Sequence, residues 1–430
     1  ILYNVLKSTA TEASDTSGFL ENTNIARQDV DSVTFVNSIS SDVYDKSAGQ
    51  YTDSTAWDVS AQGDKSIVAW YTQNANGSYT VYIGSDYEIF GNMDSSYLFS
   101  QIGHSSKCTS TETIKNLALL NTTGINKMNS MFAYTGYNAM VNLNLEDKFD
   151  TSNVTEMNNM FAYCGYNAMT DFALGDNFNT GKVTQMIGMF EALGHENLQA
   201  LNLGSQFDTV KVEKMSSMFK ETGFQKMESL TLGTNFNTSN VTDMDYMFYQ
   251  TGRKKLTTLN LGNSFNTSKV TNMQEMFQLM EALTNLNLGG NFDTSKVTNM
   301  YGMFWGTGYS NMTSLSLGDK FDTSQVKDMN SMFYNFAQKI KTLDLGEKFS
   351  TSQVEDMANM FNGTGASEMT VLNLGPAFTK IASGNVQNKD DASSTHNANE
   401  NMFTNCGTSE LTIYAPESIY ATIQSFKTGK

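Results

Sequence analysis

The sequence is poor in proline and arginine, and each shortage narrows the range of possible functions. Only two of the 430 residues are proline, Pro376 and Pro416. About 5% is usual, so the sequence argues against a proline-rich linker, a collagenous stalk or a mucin-like stalk. Arginine also occurs only twice, and 44 acidic residues against 27 basic ones give a net charge of −17. Because nucleic-acid binding needs clustered lysine and arginine, we expect no nucleic-acid partner.

Long apolar runs and closely spaced cysteines are also missing. The sequence contains no run of about 18 apolar residues, so no transmembrane segment is predicted, and no secretory signal peptide is recognisable. Cys108, Cys164 and Cys406 lie too far apart in the sequence for a disulfide framework or a metal knuckle. We therefore expect three separate thiols, with a disulfide between two of them as the alternative.

Methionine, in contrast, is abundant, and most of its 26 residues belong to an internal repeat. The dipeptide Met-Phe recurs nine times at intervals of 27 to 29 residues, and a more divergent tenth copy follows at Met402. Such regular self-similarity is typical of repeat proteins, in which each copy buries its apolar side against the next. The methionine of this dipeptide is Met131, Met160, Met189, Met218, Met247, Met276, Met303, Met332 or Met360.

Each copy contains two segments with different hydrophobic spacings. In one clean copy, Val270, Met273, Met276 and Phe277 are spaced as on one face of an α-helix. Two leucines then alternate with polar residues, as in a short strand with one buried face. An Asp or Asn column precedes the helical pattern, and we expect it to cap the helix, with a row of weak Ca²⁺ contacts as the alternative. Two methionines per copy, eighteen in all, are predicted to lie in the core.

These patterns predict an α/β fold, a right-handed leucine-rich-repeat solenoid of about ten helix–strand repeats of ~29 residues. Residues 1–90 do not follow the repeat and are predicted to form a β-rich N-terminal cap. The repeats are expected to occupy residues 91–408, and residues 409–430 to form a C-terminal cap.

Both ends carry local signals of their own. In the N-terminal region, strand-like runs at 66–71 and 79–83 flank an Asn76-Gly77 turn and predict a hairpin. Near the C-terminus, a polar insertion of 13 residues separates Phe378 from Met402. A closing strand at 411–414 and a terminal helix after Pro416 are expected to follow it.

The repeat strings resemble a known family. Residues 237–248, Asn-Thr-Ser-Asn-Val-Thr-Asp-Met-Asp-Tyr-Met-Phe, and the string at 292–300 are similar to the BspA-like leucine-rich repeats of bacterial surface proteins. Residues 56–60 and 95–99 resemble the segment that precedes the repeats in that family. The resemblance covers about residues 30–430 and implies an exported cell-surface protein, commonly an adhesin or a protein of unknown ligand. No wall-anchoring signal or mucin-binding module follows the repeats, so attachment to a cell is an expectation from the resemblance alone.

Residue types that carry catalysis are sparse. The histidines His104, His195 and His396 have no nucleophile motif nearby, and no phosphate-binding glycine loop is present. We therefore expect no enzymatic activity and no cofactor, and we expect the side chain of His195 to be solvated. Ca²⁺ is the one cation considered, and its weak candidate ligands in the insertion are Asp390, Asp391 and Glu400, with His396 beside them.

Two surfaces are candidates for a partner. The outward strand positions are small and polar, so they could bind sugar hydroxyls weakly, or could simply tolerate the stacking of strands. Aromatic residues outside the core columns, including Tyr134, Tyr137, Tyr163 and Tyr166, are expected to pack largely on neighbouring repeats, with a subset free for stacking or protein contact. The predicted ligand-binding residues are Tyr301, Trp305, Tyr309, Asn202, Asn260 and Asn287.

The leading interpretation is an extracellular, bacterial cell-surface adhesin that binds a protein, glycoprotein or glycan of a host or a neighbouring cell. Multivalent display would supply avidity. The alternative is a structural subunit of a surface layer or extracellular filament, which would self-associate.

Overall fold

The computed structural model describes residues 4–8, 17–146, 148–389, 391 and 393–427. In these residues the chain forms short strands, three short 3-10 helices and one α-helix, and it divides into two compact units. Unit 1 comprises Ile1–Lys211, Thr222–Met227 and Thr231–Asn235, and unit 2 comprises Val212–Glu221, Glu228–Leu230 and Phe236–Lys430.

The strands are two to seven residues long. In chain order they are β1 (Asn4–Val5), β2 (Val30–Val36), β3 (Tyr44–Asp45), β4 (Gln50–Tyr51), β5 (Trp57–Asp58), β6 (Val68–Gln73), β7 (Tyr79–Gly84), β8 (Ile89–Phe90), β9 (Ile114–Lys115), β10 (Leu120–Asn121), β11 (Asn142–Asn144), β12 (Asp171–Ala173), β13 (Ala200–Asn202), β14 (Ser229–Thr231), β15 (Thr258–Asn260), β16 (Asn285–Asn287), β17 (Thr342–Asp344), β18 (Val371–Asn373), β19 (Asn385–Gln387), β20 (Thr395–Asn397) and β21 (Thr412–Tyr414). The 3-10 helices span Gly18–Leu20, Arg27–Asp29 and Leu117–Leu119, and the α-helix, α1, spans Glu417–Lys427.

The N-terminal part of unit 1 is a five-stranded sheet in the order β5-β6-β7-β2-β9. β6 and β7 form the predicted antiparallel hairpin, and its turn is closed by a bond from the Asn74 amide to the Ser78 carbonyl of 2.8 Å. Gly77 in this turn has a φ of 81°, which glycine adopts without steric cost. The predictions of the hairpin, of the closing strand β21 and of the terminal helix α1 are confirmed.

Within the repeats, the short strands of successive copies pair in parallel. β11 pairs with β12 in unit 1, while in unit 2 β15 pairs with β16 and β17 pairs with β18. In most of these three-residue strands the middle side chain is buried and the two outer ones are exposed. The predicted alternation of the strand segment is therefore confirmed.

The Met-Phe segments are not helices, so the predicted helix–strand solenoid is wrong. The amides of Met131 and Ala133 bond to carbonyls three residues earlier, as in β-turns, whereas an α-helix would bond four residues back. The intervening amides, of Ser130 and Phe132, bond instead to Asn158 and Met160 of the next copy. Each segment is thus a row of turns whose alternate amides join it to its neighbour.

The methionine core is confirmed even though the helices are not. All eighteen repeat methionines, from Met128 to Met360, have no exposed surface. The phenylalanine that follows the second methionine of a copy stacks on its equivalent in the next copy, as Phe132 does on Phe161 with ring centres 5.5 Å apart. Every third residue of a row of turns faces inward, which gives the same spacing as a helix face.

The predicted Asp/Asn column caps turns rather than helices. Asp150 accepts a bond from the amide of Ser152 of 2.7 Å, and Asn179 accepts one from the amide of Gly181 of 2.9 Å. Both Asp and Asn make this Asx turn with their side-chain oxygen, which is why the column alternates between them.

The threonine next to this column is buried and joins consecutive copies. In unit 2, the hydroxyl of Thr294 donates to the carbonyl of Asp322 and accepts from its amide, both at 2.8 Å. The same donation recurs from Thr267 to Asp293 and from Thr323 to Ser350, both at 2.7 Å. One hydroxyl therefore satisfies two backbone groups of the neighbouring copy.

We expect Thr294→Val to destabilise unit 2 by about 2–3 kcal/mol, because it leaves two backbone groups without partners at unchanged side-chain volume. The matched control is Thr298→Val, since Thr298 is exposed and its hydroxyl makes one longer bond, of 3.2 Å, to Thr271. Urea unfolding followed by circular dichroism measures both variants. Equal losses in the two would contradict the stabilising role of the buried hydroxyl.

Candidate binding surface

A group of stacked tyrosines forms an aromatic surface on unit 1. Tyr134 and Tyr163 stand in the same position of consecutive copies, and their rings stack with centres 4.7 Å apart and an angle of 3°. Three residues further along the copies, Tyr137 and Tyr166 stack in the same way, at 4.7 Å and 9°. We call these four residues the tyrosine face. The distance between stacked rings matches the distance between hydrogen-bonded strands, because backbone hydrogen bonds hold consecutive copies side by side.

The column of Tyr137 and Tyr166 continues with other aromatic residues. His195 stacks on Tyr166 at 4.4 Å and on Phe224 at 4.6 Å, and His104 packs against Tyr137 at 4.8 Å. The prediction that His195 is solvated is wrong, since only 8% of it is exposed. Its position in the repeat is an aromatic column, and stacking covers both faces of its ring.

Backbone bonds hold this column in register. The amides of Asn167, Glu196 and Gln225, each following a ring residue, donate to the carbonyls of Tyr137, Tyr166 and His195. At the N-terminal end, the amide of Gly103 donates to Val30 on β2 at 2.7 Å, which places His104 beside the first tyrosine. The rings are therefore positioned before any partner binds.

Carboxylates border the tyrosine face. The hydroxyl of Tyr163 lies 3.3 Å from Oε1 of Glu191, and Oε1 of Glu196 lies 2.6 Å from Nδ1 of His195. Burial, followed by the charge of Glu191, raises the pKa of Tyr134, and burial with the charge of Glu196 raises the pKa of Tyr137. The phenols consequently stay protonated near neutral pH and can donate hydrogen bonds.

The tyrosine face is partly open to solvent. Tyr134 is 37% exposed, and Tyr137, Tyr163 and Tyr166 are half-buried. Stacking covers one face each of Tyr134 and Tyr163 and both faces of Tyr166, which reduces the ring surface that a flat ligand can reach. This arrangement suits hydrogen bonding and edge contacts better than stacking of a flat ligand on the rings.

The aromatic residues predicted for binding in unit 2 have different surroundings from one another. Tyr309 is 44% exposed. Trp305 is half-buried and packs edge-on against Tyr334 at 5.0 Å, whereas Tyr301 lies under the ammonium group of Lys389 at 4.2 Å. Trp305 thus packs against an aromatic ring and Tyr301 against a cation. The described contacts do not join Tyr301, Trp305 and Tyr309 in one stack.

The predicted asparagines lie on exposed strand positions. Asn202 is on β13, while Asn260 and Asn287 face each other across β15 and β16. Each side-chain oxygen accepts the amide of the glycine two residues later, at 3.0 to 3.1 Å. The side-chain oxygen of each asparagine therefore stabilises the turn that follows the strand.

The described candidate cation ligands of the insertion, Asp391 and Glu400, each bond to a nearby residue of the insertion. Asp390 lies outside the described residues. Asp391 accepts bonds from Ser393, and Glu400 accepts the amide of Asn397 at 3.2 Å. In the described part of the chain, no group of three or more His, Cys, Asp or Glu side chains is arranged to hold a metal ion.

The thiols are buried and form no disulfide with one another in the described structure, which includes all three cysteines. Burial raises the pKa of Cys108 to about 12, and burial also raises that of Cys164. Such thiols remain protonated at neutral pH and are poor nucleophiles.

Sequence reasoning noted the four tyrosines but overlooked the two histidines that extend their column. The signal was present for His195, since Tyr137, Tyr166, His195 and Phe224 follow one another at 29-residue spacing, whereas His104 lies 33 residues before Tyr137. A column that keeps aromatic character in four consecutive copies indicates ring stacking between copies.

The fold and this surface define a repeat protein whose copies pair through short strands and rows of turns. The family described as "Mycoplasma protein of unknown function, DUF285" matches in overlapping ranges that together span residues 96–410. The chain belongs to this family. The matched ranges are 96–222, 165–255, 194–314, 221–340, 251–373 and 284–410.

No curated protein matches the chain, and no solved structure matches it. In the described part of the chain, no helix has the length and apolar character that crossing a membrane requires.

Proposed function

We propose that the chain is a non-catalytic, extracellular binding protein of a bacterial cell surface, an adhesin that binds a protein or glycoprotein of a host or neighbouring cell. The observation that carries the proposal is the ordered, partly exposed tyrosine face of unit 1. The resemblance of the repeat strings to BspA-like repeats supports the extracellular setting.

Tyrosine is the side chain best suited to such a role. It offers a large contact area and a hydrogen-bonding group, and it has few rotatable bonds to immobilise. Binding hot spots in protein interfaces are enriched in tyrosine. Here the stacking of Tyr134 on Tyr163 and of Tyr137 on Tyr166 fixes the rings in advance, which lowers the entropy lost on binding.

The surroundings of the tyrosine face favour the protein part of a glycoprotein over its sugars. Sugar rings bind tyrosine mainly by lying flat on the ring, and stacking covers one face each of Tyr134 and Tyr163 and both faces of Tyr166. Glu191 and Glu196 add negative charge at the border, as does the net charge of −17 overall. A partner segment that carries lysine or arginine beside hydrogen-bond acceptors fits this surface.

Binding to immobilised mucins, matrix proteins and glycans tests the proposal. We expect capture by at least one protein or glycoprotein, and a loss of about tenfold in affinity for Tyr134→Ala or Tyr163→Ala. Tyr87→Ala removes an exposed tyrosine of unit 1 outside the tyrosine face and is the matched control, expected to bind normally. No capture at high protein density, or unchanged affinity in both tyrosine-face variants, would overturn the proposal.

A structural subunit remains the second candidate because two large side chains are exposed near the C-terminal end of unit 2. Tyr414 on β21 is 58% exposed and Tyr420 on α1 is 53% exposed. Light scattering and negative-stain imaging with and without Ca²⁺ separate the two functions. Ordered assemblies that Tyr420→Ser abolishes would favour the structural role, and a persistent monomer would count against it.

A further inference from the structure

The insertion near the C-terminus folds into a small polar hairpin. β19 and β20 pair antiparallel, with Val386 opposite His396. The insertion breaks the spacing of the repeat, yet two of its basic side chains reach back onto repeat residues of unit 2. The hairpin is therefore a separate structural feature laid over the regular copies.

Lys389 of this hairpin binds a carboxylate and an aromatic ring together. Its Nζ lies 2.6 Å from Oδ2 of Asp328 and 4.2 Å from the centre of the Tyr301 ring. A carboxylate beside an open aromatic face is a standard way for proteins to bind an ammonium or guanidinium group. Lys389 thus occupies a cation-binding site built from two consecutive copies.

His396 makes the second contact of the hairpin. Its Nε2 lies 2.9 Å from Oδ2 of Asp356, and its Nδ1 faces the side-chain oxygen of Asn388. Asn330 also donates to Oδ2 of Asp356, at 3.1 Å. Each of the two repeat carboxylates, Asp328 and Asp356, is therefore matched by one basic side chain of the hairpin.

The receiving residues belong to regular positions of the repeat. Asp328 and Asp356 face each other across a parallel β-bridge, in the column that holds Asn299 one copy earlier. Tyr301 and Asn330 stand two residues further along in their copies. Burial raises the pKa of Asp328, and the charge of Lys389 opposes that shift. A neighbouring cation therefore favours the ionised form of this carboxylate.

The described residues of the hairpin bury little apolar surface. The outer residues of β19 and β20 are exposed and Val386 is half-buried, while the His396 side chain is 12% exposed. The Lys389 side chain is 38% exposed, and partly exposed ion pairs contribute little to stability. Segments with little apolar burial open at low free-energy cost, so the hairpin can be displaced without unfolding the copies beneath it.

We propose that Tyr301, Asp328 and Asp356 form a binding site for a lysine or arginine side chain of a partner protein, and that the hairpin occupies this site until the partner displaces it. The site lies in unit 2 and does not depend on the tyrosine face. The hairpin acts as an intramolecular competitor, because Lys389 supplies the same chemical group as the partner.

A labelled octapeptide of alternating glycine and lysine is the probe, and the same peptide acetylated on its lysines is the neutral control. We expect the double variant Lys389→Met, His396→Gln to bind the lysine peptide at least fivefold more tightly than the wild type, with no gain for the acetylated peptide. Adding Asp328→Asn or Tyr301→Leu should remove the gain. Lys348→Met removes the same charge at an exposed lysine elsewhere in unit 2 and should change binding less than twofold.

No gain in the double variant, or a gain that survives both Asp328→Asn and Tyr301→Leu, would overturn the proposal. So would an equal gain in Lys348→Met, since it would show a general effect of net charge. Hydrogen exchange of the wild type supplies a test without substitutions. Amides of residues 385–397 should exchange faster when the lysine peptide is bound, and unchanged exchange at saturation would show that the hairpin is not displaced.

Discussion

Gly375→Ala is expected to destabilise unit 2 by about 3–4 kcal/mol, whereas Gly346→Ala, at the equivalent position one copy earlier, should cost only about 1–2 kcal/mol. Both glycines have positive φ, 75° and 78°, so alanine pays the same left-handed penalty at each. A Cβ on Gly375 would also lie far inside van der Waals contact with the carbonyl oxygen of Gly346. A Cβ on Gly346 would meet no atom within 4 Å. The difference in stability between the two variants therefore measures the cost of adding a Cβ where two backbones lie close together, because overpacking is destabilising.

Urea unfolding measures the pair, and hydrogen exchange of β17 and β18 locates the effect. Gly233→Ala and Gly204→Ala repeat the comparison in unit 1, since a Cβ on Gly233 would clash with the Gly204 carbonyl and one on Gly204 meets nothing. Equal destabilisation within both pairs would show that backbone conformation alone explains the glycine column.

Phe248→Ala should cost about 3–5 kcal/mol, as is usual for a fully buried phenylalanine. Phe248 has no exposed surface and stacks on Phe219 at 5.4 Å and on Phe277 at 5.7 Å. Its removal leaves a cavity and interrupts the ring stack between three copies, and the rigid turns on either side limit how far the cavity can close.

Thermal and urea unfolding should be measured for three variants, Phe248→Ala, Phe248→Leu and Tyr309→Ala. The comparison separates the loss of side-chain volume from the loss of the aromatic ring. The leucine variant keeps most of the volume and should lose about 1–2 kcal/mol. Tyr309→Ala truncates an exposed ring and should change stability by less than about 1 kcal/mol. A loss in Phe248→Ala no larger than in Tyr309→Ala would rule out the stacked phenylalanines as a main source of stability.

The sequence alone was enough to predict the repeat, the methionine core, the short strands and the N-terminal hairpin, because each rests on spacing. It did not reveal that the Met-Phe segments are turns. A spacing of three, three and one fits a helix face and a row of β-turns equally well. The deciding signal was the residue before each Met-Phe, such as Ser130, Asn159 or Gly188, which has positive φ in the structure. Serine, asparagine and glycine in this column suit turns better than a helix interior.

The two candidate sites differ in how well they can be predicted from the sequence. The tyrosine face follows from columns of the repeat, so aligning the copies is enough to place its residues side by side. The site under the hairpin joins Lys389 to Tyr301 and Asp328 across 88 and 61 residues, and the insertion follows no period. No spacing rule predicts where such a segment docks, and only the folded chain shows it.

In the Met-Phe segments, amides that bond within a copy alternate with amides that bond to the next copy. This alternation limits where residues can be inserted into the chain or deleted from it. Half of the amides close turns within a copy and half bond to the next copy, so a gain or loss of residues inside a row of turns would misalign every bond after it. The copy from Met276 to Met303 is two residues shorter than most, yet Phe277 still bonds to Met303 and Asn260 still faces Asn287. Its missing residues therefore come from the connection between turns and strand. Proteins built this way can lengthen or shorten by whole copies, or by trimming that connection, and keep their register.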